Sequence, residues 1–188
     1  MVQTAELLLD AATEQAVVAQ WCALAEADLP SQARHPGATN RPHVSLAVAG
    51  AMPDDLDDPL REAAGDLPLP VRVGPLVVLG GRRHVLARLL LATPALLALH
   101  ARTAGVVRGC PDLGELLAPG AWTPHVTLAR GMTGAQVAEA LGVLGPSATT
   151  EASVTGVRRF DGDARAVRLV AGRDELDEPR ERGLSAGG

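Results

Sequence analysis

Apolar residues fall in short runs divided by polar clusters, and their spacing alternates between strand-like and helix-like along the chain. "TAELLLD" (4–10) predicts a first strand. "TEQAVVAQWCALAEAD" (13–28) sets Val17, Trp21 and Leu24 at helical spacing, with Thr13 as cap and Glu14 in the first turn. Cys22, beside Trp21, reads as a small buried hydrophobe. Residues 29–42 form a loop rich in Pro, Gly, Ser and Asn, and "HVSLAVA" (43–49) is a strand. An acidic helical segment follows at 53–66, weakened by Pro59. "VRVGPLVVLG" (71–80) and "HVLARLLLA" (84–92) read as a hairpin. Thr93 and Pro94 open a helix that runs to Gly105. After a loop at 108–124 come a strand (125–130), a helix (133–144), and two strands (150–160 and 164–171) around Asp161-Gly162-Asp163.

This order repeats. Each half reads strand, helix, long loop, His-headed strand, helix, strand, with His125 following His43 by 82 residues. The expected architecture is α+β: a bilobal pseudo-twofold duplication, with two mainly antiparallel sheets and outer helices around a central cleft. The approximate repeats are 4–92 and 84–171, interlaced in one domain over residues 1–172. Residues 173–188 are expected to form a disordered tail. The equivalent His-headed strands are expected to face each other across the cleft.

Composition narrows the chemistry. All 17 basic residues are arginine, so a lysine nucleophile and a Walker A phosphate loop are excluded. A net charge of −5 disfavours coating a long duplex but leaves room for one phosphate pocket. Two cysteines make neither a disulfide framework nor a metal knuckle, and no clustered ligands suggest a metal or other cofactor. No signal peptide or membrane-spanning run is evident, so a cytoplasmic protein without membrane contact is expected, acting as a monomer.

Residues i and i+2 of a strand share a face. "RPHVSLAVAG" therefore projects His43 and Ser45 together, and "TPHVTLARG" projects His125 and Thr127 together. Val44, Leu46, Val126 and Leu128 turn the other way. Two imidazoles and two hydroxyls around one volume suit a phosphodiester. One ring takes a proton, the other gives one, and the hydroxyls bind the oxygens that gain charge.

The doubled HV[ST]L strands resemble the two-histidine (2H) phosphoesterase superfamily, in particular its 2′-5′ RNA ligase-like and RNA 2′,3′-cyclic phosphodiesterase branch. The resemblance covers roughly Thr4 to Ala171 in element order. It implies a metal-independent phosphoesterase that hydrolyses, or reversibly forms, 2′,3′-cyclic or 2′-5′ bonds of RNA ends or nucleotides. It implies His43 as proton donor and His125 as acceptor, with Ser45 standing where Thr is commoner. The partner is then a small nucleotide or RNA terminus. The single Phe and absent Tyr depart from relatives that stack a base on aromatic rings. The alternative is a binding module that captures a nucleotide or small phosphate without turnover. A serine-nucleophile hydrolase fits poorly, because there is no G-x-S-x-G elbow.

Further candidates lie around the motifs. Arg41 and Arg34, flanking His35, are candidate phosphate ligands. Trp122 is placed either to stack a base or to pack the interface; Trp21 reads as core. Arg130 follows the second motif, but strict alternation puts it on the face of Val126 and Leu128. His84 and His100 read as structural, and Arg158, Arg159, Arg165 and Arg168 as a solvated edge.

Overall fold

Asp10 stops the first strand and starts the first helix. Its carboxylate accepts from the backbone N–H and the hydroxyl of Thr13, so the cap lies three residues before Thr13 itself. In the computed structural model, which describes residues 2–175 except Pro36, Ala38 and Ser147, the elements follow in order. They are β1 (Gln3–Leu9), α1 (Ala11–Glu26), β2 (Val44–Ala49), α2 (Asp57–Ala63), β3 (Leu69–Leu79), β4 (His84–Leu90) and α3 (Pro94–Val107). Then come β5 (His125–Met132), α4 (Gly134–Leu144), β6 (Thr150–Asp161) and β7 (Ala166–Gly172). Pro59 does not break α2, because it falls in the first turn, where backbone N–H groups have no helical acceptor. Thr93 caps α3, and Thr133 with Gln136 forms a capping box on α4.

The strands make one seven-stranded antiparallel sheet, ordered β1-β2-β5-β4-β3-β6-β7, with β1 also paired to β6. This is the mixed α+β duplication the repeat implies, but the two halves share one continuous sheet rather than the expected two, because strands of each half pair with strands of the other. The first five elements, β1-α1-β2-α2-β3, recur as β4-α3-β5-α4-β6, and β7 adds a closing hairpin strand. The third strands are exchanged: β3 of the first half pairs with β4, and β6 of the second half pairs with β1. The equivalent His-headed strands, expected to face each other across a cleft, are instead neighbours in the sheet and meet edge to edge, through the single pair Val44 and Val126.

Helices cross over as the strands do. α1 packs against β5, and α3 packs against β2. Between helices and sheet lie Val44, Leu46, Val126 and Leu128, all fully buried. Burying each such side chain contributes about 1.5–3 kcal/mol, so this layer fixes which face of β2 and β5 is left for chemistry. Cys22, expected inside, is exposed: Trp21 takes the inward position of that turn. Arg173 to Glu175 fold back on the body, with Glu175 accepting from the backbone N–H of Ala11. Residues 176–188 of the expected tail lie outside the described residues.

Candidate active site

The lone pair Val44–Val126 places the two motifs in register. One residue to either side, His43 stands opposite Thr127, and Ser45 stands opposite His125. Directly opposed residues share a face, and that face is opposite the buried valines. The four side chains thus form a quadrilateral with the imidazoles on one diagonal and the hydroxyls on the other. Such a diagonal spans roughly 7–8 Å between Cα atoms, which leaves width for one phosphoryl group between the rings.

Both rings are held in the same way. Nδ1 of His43 lies 2.8 Å from the carbonyl oxygen of Arg41, and Nδ1 of His125 lies 2.7 Å from that of Thr123. A carbonyl can only accept, so Nδ1 carries the proton in each ring. Each neutral ring therefore presents Nε2 as its basic nitrogen.

The surroundings of the rings differ. Nε2 of His43 lies 3.6 Å from Oε1 of Glu6, a carboxylate of β1 whose side chain is only 5% exposed. Glu6 also receives Nε of Arg158 at 2.7 Å and the hydroxyl of Thr4 at 2.6 Å. Burial alone would push its carboxyl up; the charges of His43 and Arg158, with the hydrogen bonds from Thr4 and Arg158, outweigh burial and hold it below the ordinary value. Among the described residues, no carboxylate is paired with His125. Burial lowers its pKa, the Thr123 carbonyl opposes that, and the charges of Arg130 and His43 lower it further.

Arg130 reaches the site through an irregularity. Between Ala87 and Leu86 on β4, β5 advances from Thr127 to Ala129, so Leu128 is an extra residue. The bulge breaks the alternation that would have turned Arg130 away, and its Nη2 lies 3.3 Å from Oγ1 of Thr127. β2 has the same bulge at the equivalent leucine. Between Glu6 and Ala5 on β1, β2 advances from Ser45 to Ala47, skipping Leu46.

Three candidates are placed elsewhere. Arg41 forms ion pairs with Glu14 and Asp174, both at 2.5 Å, so its guanidinium is committed to α1 and the end of the chain; its carbonyl is the part that holds His43. Arg34 extends to the Ala25 carbonyl and Asp28 at the end of α1. Trp122 is no open platform: it stacks on His100 with ring centroids 4.0 Å apart and is 8% exposed. Arg158 and Arg159 are buried in the sheet rather than solvated at its edge. The sequence reading missed Glu6 and its partner. Its signal was a carboxylate inside an apolar strand, which demands a buried cation.

A histidine and a hydroxyl from each half thus lie on one face of a duplicated α+β sheet. The family model described as the 2′-5′ RNA ligase superfamily matches residues 13–166, and the chain belongs to that family. Its fold is similar to TT0787 of Thermus thermophilus (17% identity, 90% of this chain and 95% of that one, TM-score 0.54). It is also similar to Escherichia coli LigT in apo form (17% identity, 92% and 98%, TM-score 0.52). A third similar structure is Kluyveromyces marxianus Usb1 with uridine monophosphate (13% identity, 90% and 97%, TM-score 0.51). No protein of curated function matches the chain. Superfamily members are phosphoesterases or ligases, and an activity of that type is what membership supports. Among the described residues, no helix is long and apolar enough to cross a membrane.

Proposed function

We propose that the chain is a metal-independent phosphoesterase acting on 2′,3′-cyclic or 2′-5′ phosphodiester bonds of nucleotides or RNA ends. The observation that carries this reading is the pair of imidazoles, each locked through Nδ1 by a carbonyl, at opposite corners of a face shared with two hydroxyls. In-line displacement at phosphorus needs a base behind the attacking oxygen and an acid behind the leaving oxygen. Opposite corners supply the two.

His125 is the base. Its lowered pKa keeps Nε2 unprotonated near neutral pH. It takes the proton of an attacking water as the new oxygen–phosphorus bond forms. His43 is the acid: the Glu6 anion beside it complements the charge an acid carries. It gives its proton to the ribose oxygen as that oxygen's bond to phosphorus breaks. Ser45 and Thr127 donate to the non-bridging oxygens, and Arg130 beside Thr127 adds positive charge on that side. Solvent exchange then restores both rings. Run in reverse with a ribose hydroxyl as nucleophile, the same groups form the bond. The substrate is a small nucleotide or an RNA terminus.

The test is a set of 2′,3′-cyclic nucleotides and short 2′-5′ oligonucleotides, incubated with excess chelator and followed by mass spectrometry. Linear monophosphate product is expected, and calorimetric binding without product would replace the enzyme reading with a binding module.

A further inference from the structure

The chain has two tryptophans, and each closes its indole N–H on one of the two motifs. Nε1 of Trp122 donates to the carbonyl oxygen of Ser45 at 2.9 Å, and Nε1 of Trp21 donates to that of Thr127 at 3.0 Å. These are the residues that carry the site's hydroxyls. Each lies one residue past the lone Val44–Val126 pair and immediately before the bulged leucine. The clamps are crossed: Trp21, on α1 of the first half, holds the second motif, and Trp122, just before β5 of the second half, holds the first. Both rings are nearly buried, at 4% and 8% exposed.

We infer that Trp21 and Trp122 are positioning residues that aim the hydroxyls of Thr127 and Ser45 at the phosphate. This rests on the phosphoesterase reading above. A bulge gives up regular ladder bonding, so the peptide that follows the hydroxyl residue is free to rock unless another donor holds it. An unpaired buried carbonyl is costly, and the indole N–H supplies a donor on a large, nearly buried ring. Fixing that peptide fixes the Cα–Cβ direction of Ser45 or Thr127. A hydroxyl displaced by about 1 Å costs on the order of 10²-fold in rate.

The experiment has two arms. In the first, Trp21→Phe and Trp122→Phe keep an aromatic ring in place and remove only the donor. Each is expected to lower kcat at least about tenfold, with KM within about twofold and the pH profile unmoved, because neither imidazole is touched. A kcat within about twofold of wild type in both variants overturns the inference. The second arm uses the unmutated protein, whose two indoles give two side-chain N–H resonances, each assigned by its absence from one Phe variant. On titration with inorganic vanadate, both indole signals are expected to shift along the same saturation curve as the imidazole signals of His43 and His125. Imidazoles that respond while both indoles stay fixed would overturn the clamp and leave the phosphate site intact. If no imidazole responds, the phosphate site itself fails and the clamp falls with it.

Discussion

The two halves of the active face share a strand, a bulge, a carbonyl-locked imidazole and an indole clamp, but not a neighbour. Across from Ser45, the rung on β1 is Glu6; across from Thr127, the equivalent rung on β4 is Ala87. One rung further, Leu7 faces Val44, and Arg88 faces Val126. The first half thus puts its charge on the open face and leucine in the core. The second half has a small residue on the open face and a buried arginine behind it. What the difference teaches is how a duplicated site obtains unlike surroundings for like parts. One ring has an anion beside it, the other has burial and a nearby cation around it, and on the proposed mechanism that difference in surroundings is what assigns them unlike roles.

The strongest way to break the comparison is to remove the rings. His43→Ala and His125→Ala should each lower kcat by about 10²–10⁴-fold on a cyclic nucleotide, with circular dichroism unchanged. If the rings act as a pair, the double variant should be little worse than the poorer single one. A single variant retaining full turnover would deny that ring a role.

Next is Glu6. Removing one partner of a buried ion pair strands the other, so Glu6→Ala should lose about 3–5 kcal/mol in denaturant unfolding, because Arg158 stays buried without its anion. The pH dependence has a definite sign. The folded-state pKa of Glu6 is depressed, so its contribution is present above the unfolded value and is lost as pH falls through the folded one. Wild-type stability should therefore decline on acidification below the ordinary carboxylate range, and Glu6→Gln should flatten that decline. An unchanged slope would show that other carboxylates dominate.

Arg88 offers a smaller effect of opposite sign. It is 4% exposed, donates to the Ala148 carbonyl, and among the described residues its Nε and Nη1 have no acceptor. Replacing it with the residue its counterpart uses, as Arg88→Leu, should raise the unfolding free energy by about 1–3 kcal/mol. A loss of stability would mean the guanidinium has a compensating role. The smallest effect sharpens the acid–base division. Arg130→Gln removes one charge that lowers the His125 pKa, so the acid limb of the rate profile should move to higher pH. A limb that stays put would separate Arg130 from the base.

How much of this could be read from the sequence follows from the range of each interaction. Two-residue alternation is local, so the shared face of His43 with Ser45 and of His125 with Thr127 was visible in short words of sequence. Helix caps were nearly as local, and the shift from Thr13 to Asp10 is one carboxylate's reach. Bulges leave no trace in the hydrophobic pattern: Leu46 and Leu128 are apolar positions like any other, so alternation alone turns Arg130, a candidate all the same, to the face of Val126 and Leu128. The pairing of Glu6 with Arg158 spans most of the chain, and each tryptophan's acceptor is a backbone atom that no side-chain pattern reports.

The exchange of third strands also orders events in time. β1 is made before every other strand of the sheet, its partner β6 after all but β7, and contacts so distant in sequence form late. Glu6 cannot meet Arg158 until β6 has been synthesised. Duplication here has produced two copies of the parts and a single moment of assembly.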